Sequence, residues 1–333
     1  MKISIAQRIR PFSHLPGTCS LLPFTRWQLQ VFPTLLKFRH VDTSEEQFYA
    51  LGWKGPVRGF TVQLNLEKGI IEIYGHTVLG YRRAQIRRVK EGIEISLEKE
   101  QTRVILSAIP DPYLSPSFPK ERLSLGMSKL LDWDLVRRRL DLREIFPVWL
   151  RLGQMCPFQE TTDSIGPAAF LRECQKEEVI SHYLNFFLVG FHSLFVPRLK
   201  DTEHQGIIGD EEASSSSISL LSKGASLIRS LFFKEVQDSW FFLPELSVHF
   251  PSGRFIGIHT ICEDQIDMEW SKKNLRRLII SSGQSRRISL HLPGRLKSYR
   301  IRHFIQDKGH RQNADHPLIL IKNQKLLLDR FEE

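Results

Sequence analysis

Two clusters of side chains have the residue types that acid–base chemistry requires. The first is Leu131-Asp132-Trp133-Asp134, followed by Asp141, Glu144 and Trp149; the second is the polar stretch from Arg198 to Gly206, which holds Asp201, Glu203 and His204. Paired carboxyls about 5 to 10 Å apart cleave glycosidic bonds, one as acid and the other as base or nucleophile, and aromatic walls beside them stack the sugar ring. On that reading Asp132, Asp134, Asp201, Glu203 and His204 are catalytic candidates, and Trp133, Trp149 and Trp240 are candidates to stack a ligand. A competing reading uses the same residues structurally. Asp132 or Asp134 caps a helix, Trp133 and Trp149 fill a core, and Asp201, Glu203 and His204 belong to a solvated loop. The sequence leaves both readings open, and with them whether the chain is an enzyme.

Other chemistries lack their signatures. There is no G-x-S-x-G elbow, no G-x-x-x-x-G-K-[ST] phosphate loop, no G-x-G-x-x-G and no H-E-x-x-H. His303, His310 and His316 share one basic region, but their intervals match no metal-ligand pattern. No metal and no cofactor is expected. Cys19, Cys156, Cys174 and Cys262 are isolated and read as reduced thiols.

Binding without catalysis is the rival class, and charge is its evidence. The chain carries a formal +10, and between Ser271 and Arg311 twelve Lys or Arg face a single acid, Asp307. In SYRIRH, Arg300 and Arg302 fall on one face of a strand while Tyr299, Ile301 and His303 take the other. Lys297, Arg300 and Arg302 are therefore the candidates to hold a polyanion such as nucleic acid, with affinity that falls as salt rises. Tyr299 and Phe304 are the only aromatic residues between Lys272 and Arg311, which is few for a stacking platform. A protein partner is the third reading, since Arg137-Arg138-Arg139 and the tail cations could meet an acidic surface or the chain's own Asp210–Glu212.

The elements that must position these residues follow from apolar periodicity. TRWQLQVF, TLLKFRHV, GFTVQLNLEKGIIEIYGHT, YRRAQIRRV, GIEISLEKE and TRVILSAI alternate with period two and predict an antiparallel, half-buried sheet, with Lys68-Gly69 as a hairpin turn. Four prolines between Ile109 and Lys120 predict a linker. Helical spacing of Leu131, Leu135, Leu142 and Ile145 predicts a helix that Pro147 ends or bends, and further helices are expected over 167–175, 177–195 and 220–233. Asp210 to Ser217 offers little to bury and reads as a loop. Eight short strand signals then run from Ser247 to Phe331.

The expected fold is α+β: an N-terminal antiparallel β-sandwich-like domain over 1–110, a Pro-rich linker over 111–120, a helical middle over 121–235 with an acidic and Ser-rich loop near 210–217, and a basic C-terminal β-sandwich over 236–333. The opening MKISIAQRIRPF lacks a secretory apolar core, and YLNFFLVGFHSLFV (183–196) is too short to span a bilayer. A cytoplasmic location without membrane insertion is expected.

The tail SYRIRHFIQDKGHRQNADHPLILIKNQKLLLDRFEE resembles the small β modules appended to several glycoside hydrolases, through its basic alternating strand, polar turn, apolar strand and closing LDRF. The whole chain, including RLSLGMSKLLDWDLVRRRLDLREIFPVWLRLGQ and FVPRLKDTEHQG, is similar to a conserved protein family of chlamydia-like bacteria, a likeness that names relatives without naming a function. The first resemblance implies carbohydrate binding or descent from a carbohydrate-active enzyme. The span between Lys120 and Phe233 is too short for the helical barrel such enzymes carry. The function expected is thus a multi-module protein with a carbohydrate ligand or, alternatively, a polyanion or protein partner held by the basic C-terminal β domain.

Overall fold

A computed structural model of the chain describes residues 2–98, 101–106, 121–157, 174, 180–198, 217–244 and 247–333. The fold is α+β, with antiparallel sheets toward both ends of the sequence and helices between. The Pro-rich segment 111–120 and residues 210–216 lie outside the described residues, as does all of 167–175 except the helical Cys174; Ser217, expected in a loop, is the buried first residue of a helix. Two compact units divide the chain. The basic unit takes Met1–Gln7, Lys120–Ser128 and Ser226–Glu333; the helical unit takes Arg8–Pro119 and Lys129–Ala225.

In the helical unit, β1 (Phe12–Ser13) precedes a meander of β2 (Thr18–Leu21), β3 (Trp27–Val31), β4 (Leu35–His40) and β5 (Glu46–Ala50). A second sheet follows in the order β1-β6-β7-β8-β9-β10, from β6 (Arg58–Asn65), β7 (Ile70–Thr77), β8 (Gly80–Val89), β9 (Gly92–Leu97) and β10 (Thr102–Leu106). Alternation sets the faces: Trp27, Leu29 and Val31 are buried while Gln28 and Gln30 are half-exposed. The β6–β7 hairpin pairs Asn65 with Ile70 around Gly69, whose φ of 65° suits glycine. Its polar face departs from the half-buried expectation, since Thr61 and Asn65 are 2% and 1% exposed. Both find local partners that offset the loss of water: the Thr61 hydroxyl donates to Gly59 O at 3.2 Å, and Asn65 Oδ1 accepts from Glu67 N at 3.2 Å.

The single helix expected before Pro147 is two. α1 (Trp133–Arg139) ends where Leu140 turns left-handed at φ 53°, Asp141 caps a new start, and α2 (Leu142–Gly153) continues through Pro147. Proline removes one donor from that helix, but every residue from Glu144 to Gly153 is buried, so packing rather than propensity holds it. α3 (Ile180–Gly190) and a 3-10 turn (Ser193–Phe195) account for the aromatic run, and none of the described helices is long and apolar enough to cross a membrane. α4 (Ser217–Phe232) begins in the helical unit and ends in the basic one.

α4 passes α2 closely because glycine permits it. A Cβ on Gly224 would stand 2.4 Å from Trp149 Cζ2, and one on Gly153 would stand 2.6 Å from Leu221 O. Gly224→Ala is expected to destabilise the protein by about 1 to 3 kcal/mol through overpacking, although alanine is the better helix former. Chemical denaturation measures the sign directly; a stabilised variant would show that the two helices are not in contact.

The basic unit holds β11 (Arg122–Ser124), β12 (Phe233–Val236), β13 (Ser239–Phe242), β14 (Ser252–His259), β15 (Gln265–Ser271), β16 (Asn274–Ser281), β17 (Arg286–His291), β18 (Ser298–Arg302), β19 (His310–Asn313), β20 (Leu318–Leu320) and β21 (Lys325–Glu332). Seven strands pair in the order β11-β14-β15-β16-β21-β18-β19, and four in the order β12-β13-β17-β20, where β13 and β17 run parallel. Phe255, Met268, Trp270, Leu278 and Leu328 give the larger sheet its buried side, and Trp240, Phe242, Ile288, Leu318 and Leu320 give the smaller one its own. On the larger sheet Ile3 packs against Ile279, Leu327 and Ile256, and Arg254 and Arg122 donate to Ser4 O and Gln7 O. Residues 2–7 are thereby fastened to strands more than a hundred residues away in sequence.

Candidate functional site

The carboxylates of the first cluster are each committed to local structure. Asp132 is the N-cap of α1, with Oδ1 accepting from Asp134 N at 3.1 Å and Leu135 N at 3.3 Å. Asp134 Oδ2 accepts the Ser13 hydroxyl at 2.8 Å. Asp141 caps α2 and is held below the usual carboxylate range, chiefly by the Arg143 guanidinium hydrogen-bonded to it against the opposing effect of burial. Glu144, 2% exposed, is gripped by Arg139 at 2.8 and 3.1 Å. A cleft of about 350 Å³ borders Asp134, with Leu15, Arg137, Arg138, Phe187 and Phe191 beside it, so it offers one carboxylate and two guanidiniums rather than a carboxyl pair. Asp201, Glu203 and His204 lie outside the described residues.

The three tryptophans proposed to stack a ligand have no free ring face. Trp133, Trp149 and Trp240 are each 0% exposed. Trp133 lies 4.6 Å from Phe195 and Trp149 lies 4.6 Å from Phe191 between ring centroids, within a cluster that also takes Phe146, Phe186 and Phe187. Trp240, in the other unit, packs beside Phe233 and Phe242 with the Arg286 guanidinium over it. Sugar stacking needs an accessible ring, so these residues are core, and the stacking expectation is corrected.

Arg300 and Arg302 are also placed otherwise than expected. Both turn onto Asp329 of β21, with Arg300 Nε and a terminal nitrogen donating at 2.8 and 3.0 Å and Arg302 bonded to the same carboxylate. Burial pushes Asp329 up, but the hydrogen bonds and charges of the two arginines outweigh it and hold the carboxyl below its ordinary value. Directly opposed residues extend this pairing across six strands as Arg254, Glu269, Arg277, Asp329, Arg300 and Arg311. Charge alternates along the row until Arg300 meets Arg311, where Ser298 Oγ and Glu332 take up the last guanidinium. Opposite charges facing each other across strands contribute about 0.2 to 1 kcal/mol apiece. The expected free basic face is therefore a mixed ladder. Of the three polyanion candidates only Lys297 is exposed without an ion pair among the described residues.

A second basic surface lies elsewhere, built from Arg287 and the Arg311 already bonded to Glu332. A groove of about 460 Å³ is lined by Arg287, Arg311, Gln312, Asn313, His316, Pro317 and Ile319. β19 and β20, each the outermost strand of its sheet, supply or flank these residues, and Arg287 stands on β17 directly opposite Ile319. Gln312 Nε2 donates to His316 O at 3.1 Å and Pro317 O at 3.2 Å, which fixes the turn that carries His316. No carboxylate lines the groove, and Arg287 has no ion pair among the described residues. Sequence counting includes Arg287 and Arg311 in the basic window, but their convergence with His316 depends on which strands lie at the edges, and no local signal carries that.

Cysteine chemistry is quiet. Cys19, Cys156 and Cys174 are buried and form no disulfide among the described residues, and burial pushes the Cys156 thiol up to about 12. Among the described residues no group of three or more His, Cys, Asp or Glu could hold a metal ion. No protein-family model matches the chain, and no curated protein matches it at a significant level.

Proposed function

We propose that this chain is a binding protein that holds anionic groups of a partner in the groove of its basic unit. The observation that carries this reading is the convergence of Arg287, Arg311 and His316 on a concavity with no acidic lining residue among the described residues. Guanidiniums present several donors in a planar fork that matches carboxylate and phosphate oxygens, and a concave wall raises the local potential. The carbohydrate alternative has lost its aromatic support, because the tryptophans it needs are buried.

Fluorescence anisotropy with a labelled heparin oligosaccharide tests the reading on the whole chain. Arg287→Glu with Arg311→Glu is expected to weaken binding by at least about tenfold, and raising salt from about 50 to 200 mM should flatten the difference as screening grows. Glu332→Gln, which removes the carboxylate bonded to Arg311, should shift affinity the opposite way. Binding that ignores all three substitutions would place the site elsewhere.

A further inference from the structure

The smaller sheet of the basic unit ends at β20, which has β17 on one side and no strand on the other among the described residues. Outer strands of this kind usually turn charges or proline outward, which blocks pairing with a foreign chain. β20 is short and follows Pro317, yet the side chains it turns outward are apolar. Leu318 and Leu320 point into the core at 2% and 1% exposure, while Ile319 and, just past the strand, Ile321 stand 59% and 53% exposed. Residues two apart share a face, so the two isoleucines make a short apolar strip, with Arg287 in register beside Ile319. Arg311 lies in the same groove on β19, itself an outermost strand.

A ligand for this place must satisfy an open strand edge, an apolar strip and a set of cations together. Nucleic acid leaves the strip unused and finds no Phe, Tyr or Trp among the described residues of the groove on which to stack a base. A free phosphate uses the cations alone. An extended peptide meets all three demands: its backbone continues the sheet, and the side chains of one of its faces cover Ile319 and Ile321 with apolar groups and carry carboxylates to Arg287 and Arg311. We infer that the partner is an extended peptide segment of another protein, with acidic and apolar residues sharing one face, and that it adds as a further strand beside β20. This inference rests on the anion-binding reading of the groove and gives it a substrate class.

The test uses the full chain and labelled short peptides in which valine and glutamate take turns at every second position, so that they share a face, with serine between them. One version is unmodified, one is N-methylated on the serines and one on the valines and glutamates, since successive backbone N–H groups point to opposite edges of a strand. Strand addition predicts that one methylated register loses binding by about tenfold or more while the other binds like the parent, because only one edge of the peptide is used. It also predicts loss in Arg287→Glu and in Ile319→Lys, an exposed position at which an unchanged melting temperature shows that the fold is intact. Two methylated peptides that both bind like the parent, with Arg287→Glu still weakening them, would overturn strand addition and leave the anion groove standing. Binding of the heparin oligosaccharide without binding of any peptide would overturn the partner class in the same way. Failure of every anion would overturn the groove reading itself.

Discussion

Trp149→Ala is expected to lower the unfolding free energy by about 3 to 5 kcal/mol, the range for emptying a large aromatic site that cannot collapse. Its surroundings explain the size. The ring touches Phe146, Phe186, Phe187, Phe191 and Phe195 at centroid distances of 4.6 to 6.5 Å, and its indole nitrogen donates to Leu221 O at 3.3 Å. Gly224 lies against the far edge, so no side chain there can move in to fill the space. Urea denaturation followed by circular dichroism gives the change. A variant as stable as the parent that had lost only a ligand would show that Trp149 lines a site after all.

Asp329→Ala should cost about 2 to 3 kcal/mol. That figure lies between a surface ion pair and a fully buried one, because the carboxylate is 8% exposed while the arginines that hold it keep some water. Removal leaves Arg300 and Arg302 without their shared counter-ion and sets Arg277, opposite Asp329 in register, in a row of cations. The same carboxylate dictates a pH dependence. Its folded pKa lies below the ordinary 3.8, so its contribution is complete above that value and is lost as the pH falls through the lowered one. Glu269, held below 4.5 by Arg277 and Arg254 against the effect of burial, acts in the same direction and the same acid window. Thermal melts between about pH 5 and 2 should therefore show a fall in stability that is shallower in Asp329→Ala than in the parent. Parallel profiles would mean that the ladder carries no linked protons.

The strands were legible where the pattern of two was strict. β3, β15 and the β6–β7 hairpin follow directly from alternation and a Lys-Gly turn. Alternation reports that a strand has two faces and not what covers each, which is why Thr61 and Asn65 turned out buried. Tryptophan is ambiguous in a similar way, since a ring that stacks on a ligand and one that fills a core are the same residue, and only packing separates Trp149 from a ligand wall. The basic window misled for a plainer reason. Twelve cations against Asp307 is a true count along the chain, but strand pairing brings Glu235, Asp264, Glu269, Asp329 and Glu332 from outside the window onto Arg286, Arg277, Arg300, Arg302 and Arg311. The cations left over include Arg287, whose neighbours β13 and β20 carry no acid, and Lys297, which lies outside the strands.

β21, the latest strand in chain order, lies inside the larger sheet, between β16 and β18. A ribosome therefore releases β14, β15, β16, β18 and β19 before the strand that joins them exists, and Ile3 is made well before the Leu327 that completes its socket. Until then β16 and β18 each present an edge of unpaired backbone N–H and C=O groups, a state in which long-range pairing is slow and mispairing with a neighbouring chain is favoured. Overproduction should accordingly tax holdase chaperones, and a nascent chain stalled before Lys325 should be found aggregated or bound rather than folded.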